Sequence, residues 1–202
     1  MKLENILVTT GSVVTFLRLV EYATEVEFLK SLIGIGVKRL VVQYGNEKRH
    51  EKHVSRDVFL KSLEDSGAKE KFKLVETASG VFRSDFYDFE LVAFAYSNEL
   101  ERFINDADIV ISHAGTGTII DVLRLNKPLI VVTNTSLMDN HQEEVANEFQ
   151  NLGYCLKVAD KNLHYEMPTC IRSIQADKCK LRAFPQSTNR VLEHIIYEEL
   201  IY

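Results

Sequence analysis

Two short apolar runs, each followed by a polar turn and then by a helical pattern, constrain the fold of this chain more than any other feature. They are residues 108–112 and 128–133, and both are rich in β-branched side chains. Such runs are typical of buried parallel strands that are joined by crossover helices. Because right-handed crossovers bring the ends of parallel strands to one edge of a sheet, we expect the two polar turns to lie next to each other.

The same alternation extends along the chain. Further strands are predicted at 6–9, 39–44, 72–76, 90–94 and 154–158, and helices at 15–33, 54–63, 97–104, 118–125 and 140–151. The aromatic-rich segment between 76 and 90 is predicted to be a loop whose rings form a local cluster. The alternation as a whole predicts an α/β fold with a Rossmann-like, doubly wound and mostly parallel sheet.

The length of the chain predicts a single domain. Its 202 residues are enough for one α/β core and too few for two domains of the usual size. We assign residues 1–182 to this domain and residues 183–202 to a C-terminal amphipathic helix. The helix has an apolar stripe formed by Val191, Leu192, Ile195, Ile196 and Leu200. Such a stripe either packs on its own domain or docks on a partner protein.

The composition argues against several classes of protein. The net charge of -5 disfavours nucleic-acid binding, and the one basic cluster, at 48–53, is interrupted by an acid and is interpreted as solvated surface. The 3 cysteines lack C-x-x-C spacing, which argues against a disulfide framework or a zinc site. The chain has neither a signal-peptide pattern nor an apolar stretch long enough to cross a membrane. We therefore expect a cytoplasmic protein without a membrane span of its own.

The turn after the strand at 108–112 has the residues of an anion-binding site. Gly115 and Gly117 permit a tight turn, and the backbone N–H groups of Thr116, Gly117 and Thr118 open the following helix. Amides at a helix N-terminus bind phosphate or diphosphate. Asp121 follows Gly117 by one helical turn and lies on the same face, where its carboxylate can accept two ribose hydroxyls.

The second polar turn carries neutral hydrogen-bonding groups. Asn140, His141 and Gln142 offer two side-chain amides and an imidazole, a set that binds several hydroxyl groups without a charge. Phosphate, ribose and a hydroxyl-rich group are the parts of a nucleotide-sugar. The two turns therefore predict a nucleotide-sugar site at the carboxyl edge of the sheet.

Other interpretations of these motifs are less consistent with the sequence. The dinucleotide fingerprint fails because its third glycine would fall on Ile120, and no P-loop motif is present. His113 and His141 lack the spacing of metal ligands, so we predict phosphate-facing or capping roles and neither a metal nor another cofactor. Asp106 and Asp108 form a D-x-D pair at the opposite edge of the sheet, which we interpret as a helix exit and a strand entry.

These motifs resemble those of a known transferase family. The stretches 113–118, 125–131 and 138–143, together with Asp121, resemble the catalytic subunits of the eukaryotic UDP-N-acetylglucosamine transferase that adds the second sugar to the dolichol-linked oligosaccharide precursor. The resemblance is close to fungal members and covers most of the chain. The chain is more distantly similar to the donor-binding half of the bacterial transferase that makes lipid II.

The resemblance implies one half of a two-lobed GT-B architecture of the glycosyltransferase family 28 type. In that architecture the carboxy-terminal lobe binds the nucleotide-sugar and the amino-terminal lobe binds the acceptor, and this chain has only the former. The resemblance therefore implies a membrane-anchored partner subunit that supplies the acceptor lobe. That partner would recruit this chain to the lipid-linked sugar acceptor at the cytosolic face of the endoplasmic reticulum.

The resemblance also implies roles for individual residues. It places the diphosphate at His113 and the turn 115–118, and the ribose at Asp121, where bacterial relatives have a glutamate. It places the sugar hydroxyls at Gln142, supported by the two residues before it, and the uracil against the backbone near 94–97. In the first loop the chain departs from its relatives, because Gly11 and Ser12 are followed by two valines. This departure argues against direct phosphate contact by that loop.

The implied reaction is inverting transfer of N-acetylglucosamine from UDP-N-acetylglucosamine to GlcNAc-diphosphodolichol, which forms a β1,4 linkage without a covalent intermediate. His113 and the helix amides would stabilise the leaving UDP, which makes His113 the implied catalytic residue. One alternative is a nucleotide-sugar epimerase or hydrolase. Such an enzyme would require a complete second lobe or its own catalytic acid/base set, and 202 residues offer little room for either. The other is a non-catalytic UDP-sugar-binding regulatory module, which Asp121 and Gln142 disfavour mildly.

Overall fold

The computed structural model describes residues 1–11, 13–134 and 141–185, with only the backbone described at His141. Strands and helices alternate along these residues, as the sequence pattern predicts. The strands are β1 (Asn5–Thr9), β2 (Arg39–Gln43), β3 (Lys48–Arg49), β4 (Lys52–His53), β5 (Val75–Ala78), β6 (Val81–Ser84), β7 (Phe89–Phe94), β8 (Ile109–His113), β9 (Leu129–Thr133) and β10 (Leu156–Ala159). The α-helices are α1 (Leu17–Thr24), α2 (Val26–Gly34), α3 (Val54–Asp65), α4 (Ala68–Lys71), α5 (Leu100–Asp106), α6 (Thr116–Arg124), α7 (His141–Asn151) and α8 (Leu163–Gln175).

Eight strands form one sheet in the order β10-β9-β8-β1-β2-β7-β6-β5. The strands from β10 to β7 are parallel, whereas β6 and β5 are added antiparallel at one edge. The chain builds outward from β1 to β2 and β7, and then returns to β8 on the other side of β1. This reversal leaves a crevice outside the carboxyl ends of β1 and β8, where doubly wound folds bind ligands. The predicted fold class is therefore confirmed.

Helices cover both faces of the sheet, which creates two apolar cores. Helices α1, α2, α3 and α8 pack on the first face, and α5, α6 and α7 pack on the second. The parallel strands are apolar on both sides, as strands covered by helices on both faces must be. In β1, for example, Ile6 and Val8 belong to the first core, whereas Leu7 belongs to the second.

The second face becomes polar in its last layer, at the carboxyl edge of the sheet. Thr9, Gln43 and Ser112 lie opposite one another in register on β1, β2 and β8. Because side chains alternate along a strand, these three residues lie on the same face as Leu7 and Val41 of the second core. Each of the three is at most 2% exposed. A buried polar row therefore lies where β1, β2 and β8 end.

The stretch predicted as one helix over 15–33 is instead two helices, α1 and α2. They are separated at Glu25, whose backbone is extended with φ -68° and ψ 141°. The side-chain hydroxyl of Thr24 donates a hydrogen bond to the carbonyl of Glu21 at 2.9 Å. Such side-chain bonds compete with the helical backbone pattern, which is consistent with the end of α1 at this residue.

The segment between 76 and 90, predicted as a loop, contains the strand β6. Gly80 joins β5 to β6 with a φ of +73°, and a Cβ atom at this position would lie 2.2 Å from the carbonyl oxygen of Ala93. Phe82 is 1% exposed and belongs to the first core. Within this segment Phe86 and Tyr87 form an aromatic pair, with ring centroids 4.8 Å apart. Tyr87 also contacts Phe72, at 5.5 Å between ring centroids, so the cluster extends beyond the segment.

Other differences concern the ends of elements. Helix α6 begins at Thr116 and not at residue 118, α8 was not predicted, and the basic cluster at 48–53 forms the β3–β4 hairpin on the surface.

The interpretation of the D-x-D pair is confirmed, because Asp108 Oδ2 accepts the backbone N–H groups of Glu4 and Asn5 at 2.7 and 2.8 Å. The predicted C-terminal helix lies outside the described residues, apart from its first three positions. Among the described helices, none has the length and apolar character that crossing a bilayer requires.

Candidate active site

The strands β8 and β9 bring the two polar turns together at the carboxyl edge of the sheet. The strands are parallel neighbours, with His113 opposite Val132. Helix α6 follows β8 directly, and α7 begins at His141, shortly after β9 ends. His113 from the first turn and Gln142 from the second line the same cavity. The predicted adjacency of the two turns is therefore confirmed for these residues.

The N-terminus of α6 presents backbone amides to the crevice between β1 and β8. Gly115 is the N-cap residue, with φ -82° and ψ 119°. The N–H of Ile119 bonds to the carbonyl of Gly115 at 3.1 Å. The amides of Thr116, Gly117 and Thr118 precede this bond, and amides in this position have no partner within a helix. They form an anion-binding helix terminus of the kind that holds phosphate groups.

The imidazole of His113 lies between two glycines. A Cβ atom on Gly11 would lie 2.8 Å from His113 Nε2, and one on Gly115 would lie 2.2 Å from the same atom. Burial lowers the pKa of His113 below its ordinary value, and the backbone of Thr9 acts in the opposite direction. His113 Nδ1 is buried and forms no hydrogen bond of normal geometry with the described residues. A neutral imidazole is therefore held beside the helix terminus.

Asp121 lines a polar cavity of about 610 Å³ between α6 and the loop that follows β7. Desolvation raises the pKa of its carboxyl above the ordinary value; Arg124 opposes this effect, and Glu101 adds to it. The other residues that line this cavity are Gly11, Gln43, Tyr96, Ser97, Asn98, Leu100, Glu101, Thr118, Arg124 and Leu125. The loop expected to contact uracil thus faces the carboxylate expected to bind ribose.

Gln142 lines a second, smaller cavity of about 260 Å³. The other residues that line it are Thr10, Gly11, Val13, Val14, Thr15, Phe16, His113 and Asn134. The two valines that depart from the pattern of the relatives form part of its wall and are 76% and 61% exposed. One side of this cavity is apolar, and the other carries an imidazole and side-chain amides.

The two cavities share Gly11, at the end of β1. They therefore adjoin each other across the switch point of the sheet. The larger one contains a carboxylate and a loop with polar side chains, and the smaller one contains neutral hydrogen-bonding groups. An extended ligand with a nucleoside at one end and a sugar at the other matches this division.

The structure places most of the predicted site residues along these two cavities. Thr118, Asp121, His113 and Gln142 line them, and Gly115 packs against His113. Thr116 and Gly117 begin α6 but line neither cavity. Asn140 and the side chain of His141 lie outside what the structure describes.

Some residues of the site were not predicted from the sequence. Gln43 is a polar residue at the end of the apolar run of β2, next to the glycine turn at Gly45, and this position is the signal that could have identified it. Thr10 and Asn134 likewise end or follow strands at the same edge of the sheet. Arg124 lies on α6, three residues after Asp121, on the face that the helical period predicts.

In the described ranges no cluster of three or more His, Cys, Asp or Glu side chains could hold a metal ion. The three cysteines are free thiols, and burial raises the pKa of Cys170 to about 11. Arg124 and the amides of the α6 N-terminus are described groups beside the cavities that can contact a negatively charged ligand.

Comparison with known proteins identifies the family. Residues 5–195 match the sequence model of the glycosyltransferase family 28 C-terminal domain. The chain belongs to this family. It is 42% identical over 212 residues to the UDP-N-acetylglucosamine transferase subunit ALG13 of Debaryomyces hansenii, covering 98% of this chain and 100% of that protein. It is 35% identical to the ALG13 subunit of Saccharomyces cerevisiae, covering 98% of this chain and 96% of that protein.

Solved structures confirm the family fold. The NMR solution structure of ALG13 is 33% identical to this chain, with a TM-score of 0.64 and coverage of 100% of this chain and 98% of that one. The crystal structure of Acinetobacter baumannii MurG is 17% identical, with a TM-score of 0.57. The match to MurG covers 97% of this chain but 50% of that one. The chain therefore has the fold of one half of a GT-B glycosyltransferase, as the sequence predicts.

Proposed function

We propose that this chain is the donor-binding, catalytic subunit of a UDP-N-acetylglucosamine transferase. It transfers N-acetylglucosamine to GlcNAc-diphosphodolichol with inversion, which forms a β1,4 linkage. The single observation that carries this proposal is the junction of the two cavities at Gly11, beside the N-terminus of α6. A nucleoside, a diphosphate and a sugar require three adjoining subsites in this order. The family membership and the names of the relatives support the same function.

The proposed subsites follow from the chemistry of their walls. The carboxylate of Asp121 accepts the ribose hydroxyls, and the loop near Ser97 meets the uracil. The amides of Thr116, Gly117 and Thr118 bind the diphosphate. Gln142 bonds the sugar hydroxyls, and we assign Asn140 and His141 to the same subsite because they precede it in the sequence.

Stabilisation of the leaving group is the proposed catalytic contribution of this chain. The acceptor hydroxyl oxygen forms a bond to the anomeric carbon of the donor sugar and gives up its proton to a base or to solvent, while the bond from that carbon to the diphosphate oxygen breaks. The leaving UDP carries the electron pair of the broken bond, and its negative charge develops next to the α6 amides. Preorganised hydrogen-bond donors at such a position lower the barrier by about 2.7–4 kcal/mol in known enzymes. His113, a neutral imidazole, adds a donor at the same place.

A partner protein completes the proposed enzyme. The described fold corresponds to one half of a GT-B glycosyltransferase, and the relatives are named as subunits of a transferase. We propose that another subunit supplies the acceptor lobe. We propose that this subunit is membrane-anchored and recruits the chain to the cytosolic face of the endoplasmic reticulum. The apolar stripe within residues 183–202 is the proposed docking element, because Ile195 and its neighbours share one face of the predicted helix.

A reconstituted transfer assay tests this function. Purified chain with UDP-N-acetylglucosamine and a GlcNAc-diphospholipid acceptor should give no product alone, and should give a β1,4-linked disaccharide when co-expressed with its membrane partner. Binding of UDP without any transfer in the complex would instead favour a regulatory UDP-sugar-binding module. Absence of UDP binding would reject both. Ile195→Asp tests the docking element, since it should abolish co-purification with the partner but leave UDP binding intact.

A further inference from the structure

The side chain of Gln43 occupies an unusual position in the polar row at the end of the sheet. The residue is 2% exposed, yet it lines the cavity that contains Asp121. Its backbone carbonyl accepts both the N–H and the hydroxyl of Thr10, at 3.1 and 3.0 Å. The main chain that carries Gln43 is thereby fixed against β1. A buried side chain on such a fixed strand end has few alternative positions.

The amide of Gln43 is also held in one orientation. The hydroxyl of Thr9 donates a hydrogen bond to Gln43 Oε1 at 2.5 Å, and Thr9 is itself fully buried. The acceptor side of the amide is thus occupied. Among the described residues, Gln43 Nε2 donates no hydrogen bond. Nε2 is not among the fully buried side-chain atoms that lack a partner, so it is accessible from the cavity that Gln43 lines. An accessible amide N–H in a cavity wall, on a side chain held in one orientation, can donate a hydrogen bond to an oxygen atom of a ligand.

We propose that Gln43 is a donor-site residue whose Nε2 donates a hydrogen bond to an oxygen of the nucleoside, and that Thr9 is the positioning residue that orients its amide. This inference rests on the proposed function, because it takes the ligand of the cavity to be a uridine nucleotide. Neither residue was identified from the sequence motifs.

The position of Gln43 favours a contact with the nucleoside and not with the diphosphate. Gln43 shares its cavity with Asp121 and Ser97, the residues proposed for ribose and uracil. Of the residues proposed for the diphosphate, only Thr118 lines that cavity, and it does so beside Asp121, one turn further along α6. A carbonyl oxygen of uracil and the oxygens of ribose are all acceptors for a neutral N–H donor.

Two substitutions separate the donor from the shape of the side chain. Gln43→Glu retains an acceptor for Thr9 but removes the N–H donor, and Gln43→Met retains the length without any hydrogen bond. Loss of one neutral hydrogen bond should weaken binding of UDP about tenfold in Gln43→Met, as measured by calorimetry. The affinity for UMP should fall by the same factor. In the complex, KM for the donor should rise while kcat stays unchanged, because the contact is made equally in the ground and transition states.

Variants of Thr9 test the positioning role. Thr9→Val keeps the shape but releases the amide, and it should weaken UDP binding, whereas Thr9→Ser should bind like the original chain. Thr24→Val is the matched control, since Thr24 is equally buried, its hydroxyl donates only to carbonyls of α1, and it lines neither cavity. Equal affinities for all three Thr variants would overturn the role of Thr9.

A measurement on the unaltered chain does not depend on the stability of any variant. The side-chain amide resonances of Gln43, assigned through its own backbone, should shift and exchange more slowly with water when UDP or UMP is added. Unchanged resonances in the presence of saturating UDP would overturn the contact. A loss for UDP but not for UMP in Gln43→Met would move the contact to the phosphates and overturn the assignment to the nucleoside. If the unaltered chain bound no UDP at all, the proposed function itself would fail, which distinguishes the two cases.

Discussion

The Nε2 atom of His113 lies 2.2 Å from the position that a Cβ atom would take on Gly115. The two residues are therefore coupled, because no side chain at 115 can coexist with this ring position. A Cβ atom on Gly117, by contrast, would have no neighbouring atom within 4 Å outside its own helix backbone. The two glycines of one turn thus serve different purposes: the first accommodates the imidazole, and the second leaves the helix terminus open.

Substitution of the two glycines should separate stability from binding. Gly115→Ala should destabilise the chain by about 1–3 kcal/mol, as overpacking does, and should also weaken UDP binding by displacing His113. Gly117→Ala should leave the stability unchanged or raise it, because alanine is the better helix former. If the diphosphate lies over Gly117, its affinity for UDP should nevertheless fall. Urea unfolding and calorimetry measure the two effects, and equal stability of both variants would contradict the clash.

Asp121→Asn should weaken UDP binding about 10- to 100-fold, because hydrogen bonds to a charged group contribute about 1.5–3 kcal/mol. Asparagine retains the size of the side chain, so the fold should be unaffected. Glu101→Gln is the control in the same cavity. It removes a negative charge that raises the pKa of Asp121, and should bind UDP equally well or better. Similar losses in both variants would show that the overall charge of the cavity, and not the carboxylate of Asp121, determines the affinity.

Gln142→Ala should reduce the affinity for UDP-N-acetylglucosamine but leave that for UDP nearly unchanged, since Gln142 lies in the smaller cavity and away from Asp121. Glu144→Ala provides the control, because this exposed residue of α7 lines neither cavity. Competition binding with both ligands measures the difference. Equal losses for the sugar nucleotide and for UDP would place Gln142 in the nucleotide subsite.

The lowered pKa of His113 predicts a dependence of stability on pH. The unfolded chain takes up this proton at a higher pH than the folded chain does. The contribution to stability is therefore complete above the ordinary pKa and is lost as the pH falls from that value toward the lower folded one. As the pH falls from about 7 to about 5, the free energy of unfolding should decrease less for His113→Asn than for the original chain. His50→Asn, on the exposed hairpin, should retain the full loss.

Transfer by the complex should not require a divalent ion. The described residues offer no cluster of metal ligands, and helix amides can supply the positive potential that a diphosphate needs. Activity should remain unchanged in excess chelator. Activity that chelator abolishes and magnesium or manganese restores would show that a metal bridges the diphosphate in spite of this arrangement.

The carboxyl edge of the sheet could be predicted because its signals are local. Apolar runs define the strands, glycines mark the turns, and the direction of a crossover is nearly fixed, so the adjacency of His113 and Gln142 follows from chain order. The break at Glu25 could not be predicted, since no glycine or proline marks it. The helix α8 was missed because Pro168 in its interior is ordinarily a helix breaker, whereas here the buried side chains of Met167 and Ile171 hold the helix on the sheet.

Gln43 illustrates why the rest of the site was not predictable. The orientation of its amide depends on the hydrogen bond from Thr9. Thr9 is 34 positions away in the sequence and is brought opposite Gln43 by the strand register. The β5–β6 hairpin has a similar origin. Its turn depends on the close approach of Gly80 to the backbone of Ala93, a tertiary contact that no local pattern encodes.

The sharing of Gly11 by both cavities has a consequence for the design of inhibitors. One stretch of main chain separates the nucleoside compartment from the sugar compartment, so the length of any spacer between the two ends of a ligand is fixed by the protein. Analogues that lengthen the bridge by even one atom would have to leave one compartment partly empty. Short replacements of the diphosphate that preserve both its span and its negative charge are thus the most promising scaffolds for occupying both compartments at once.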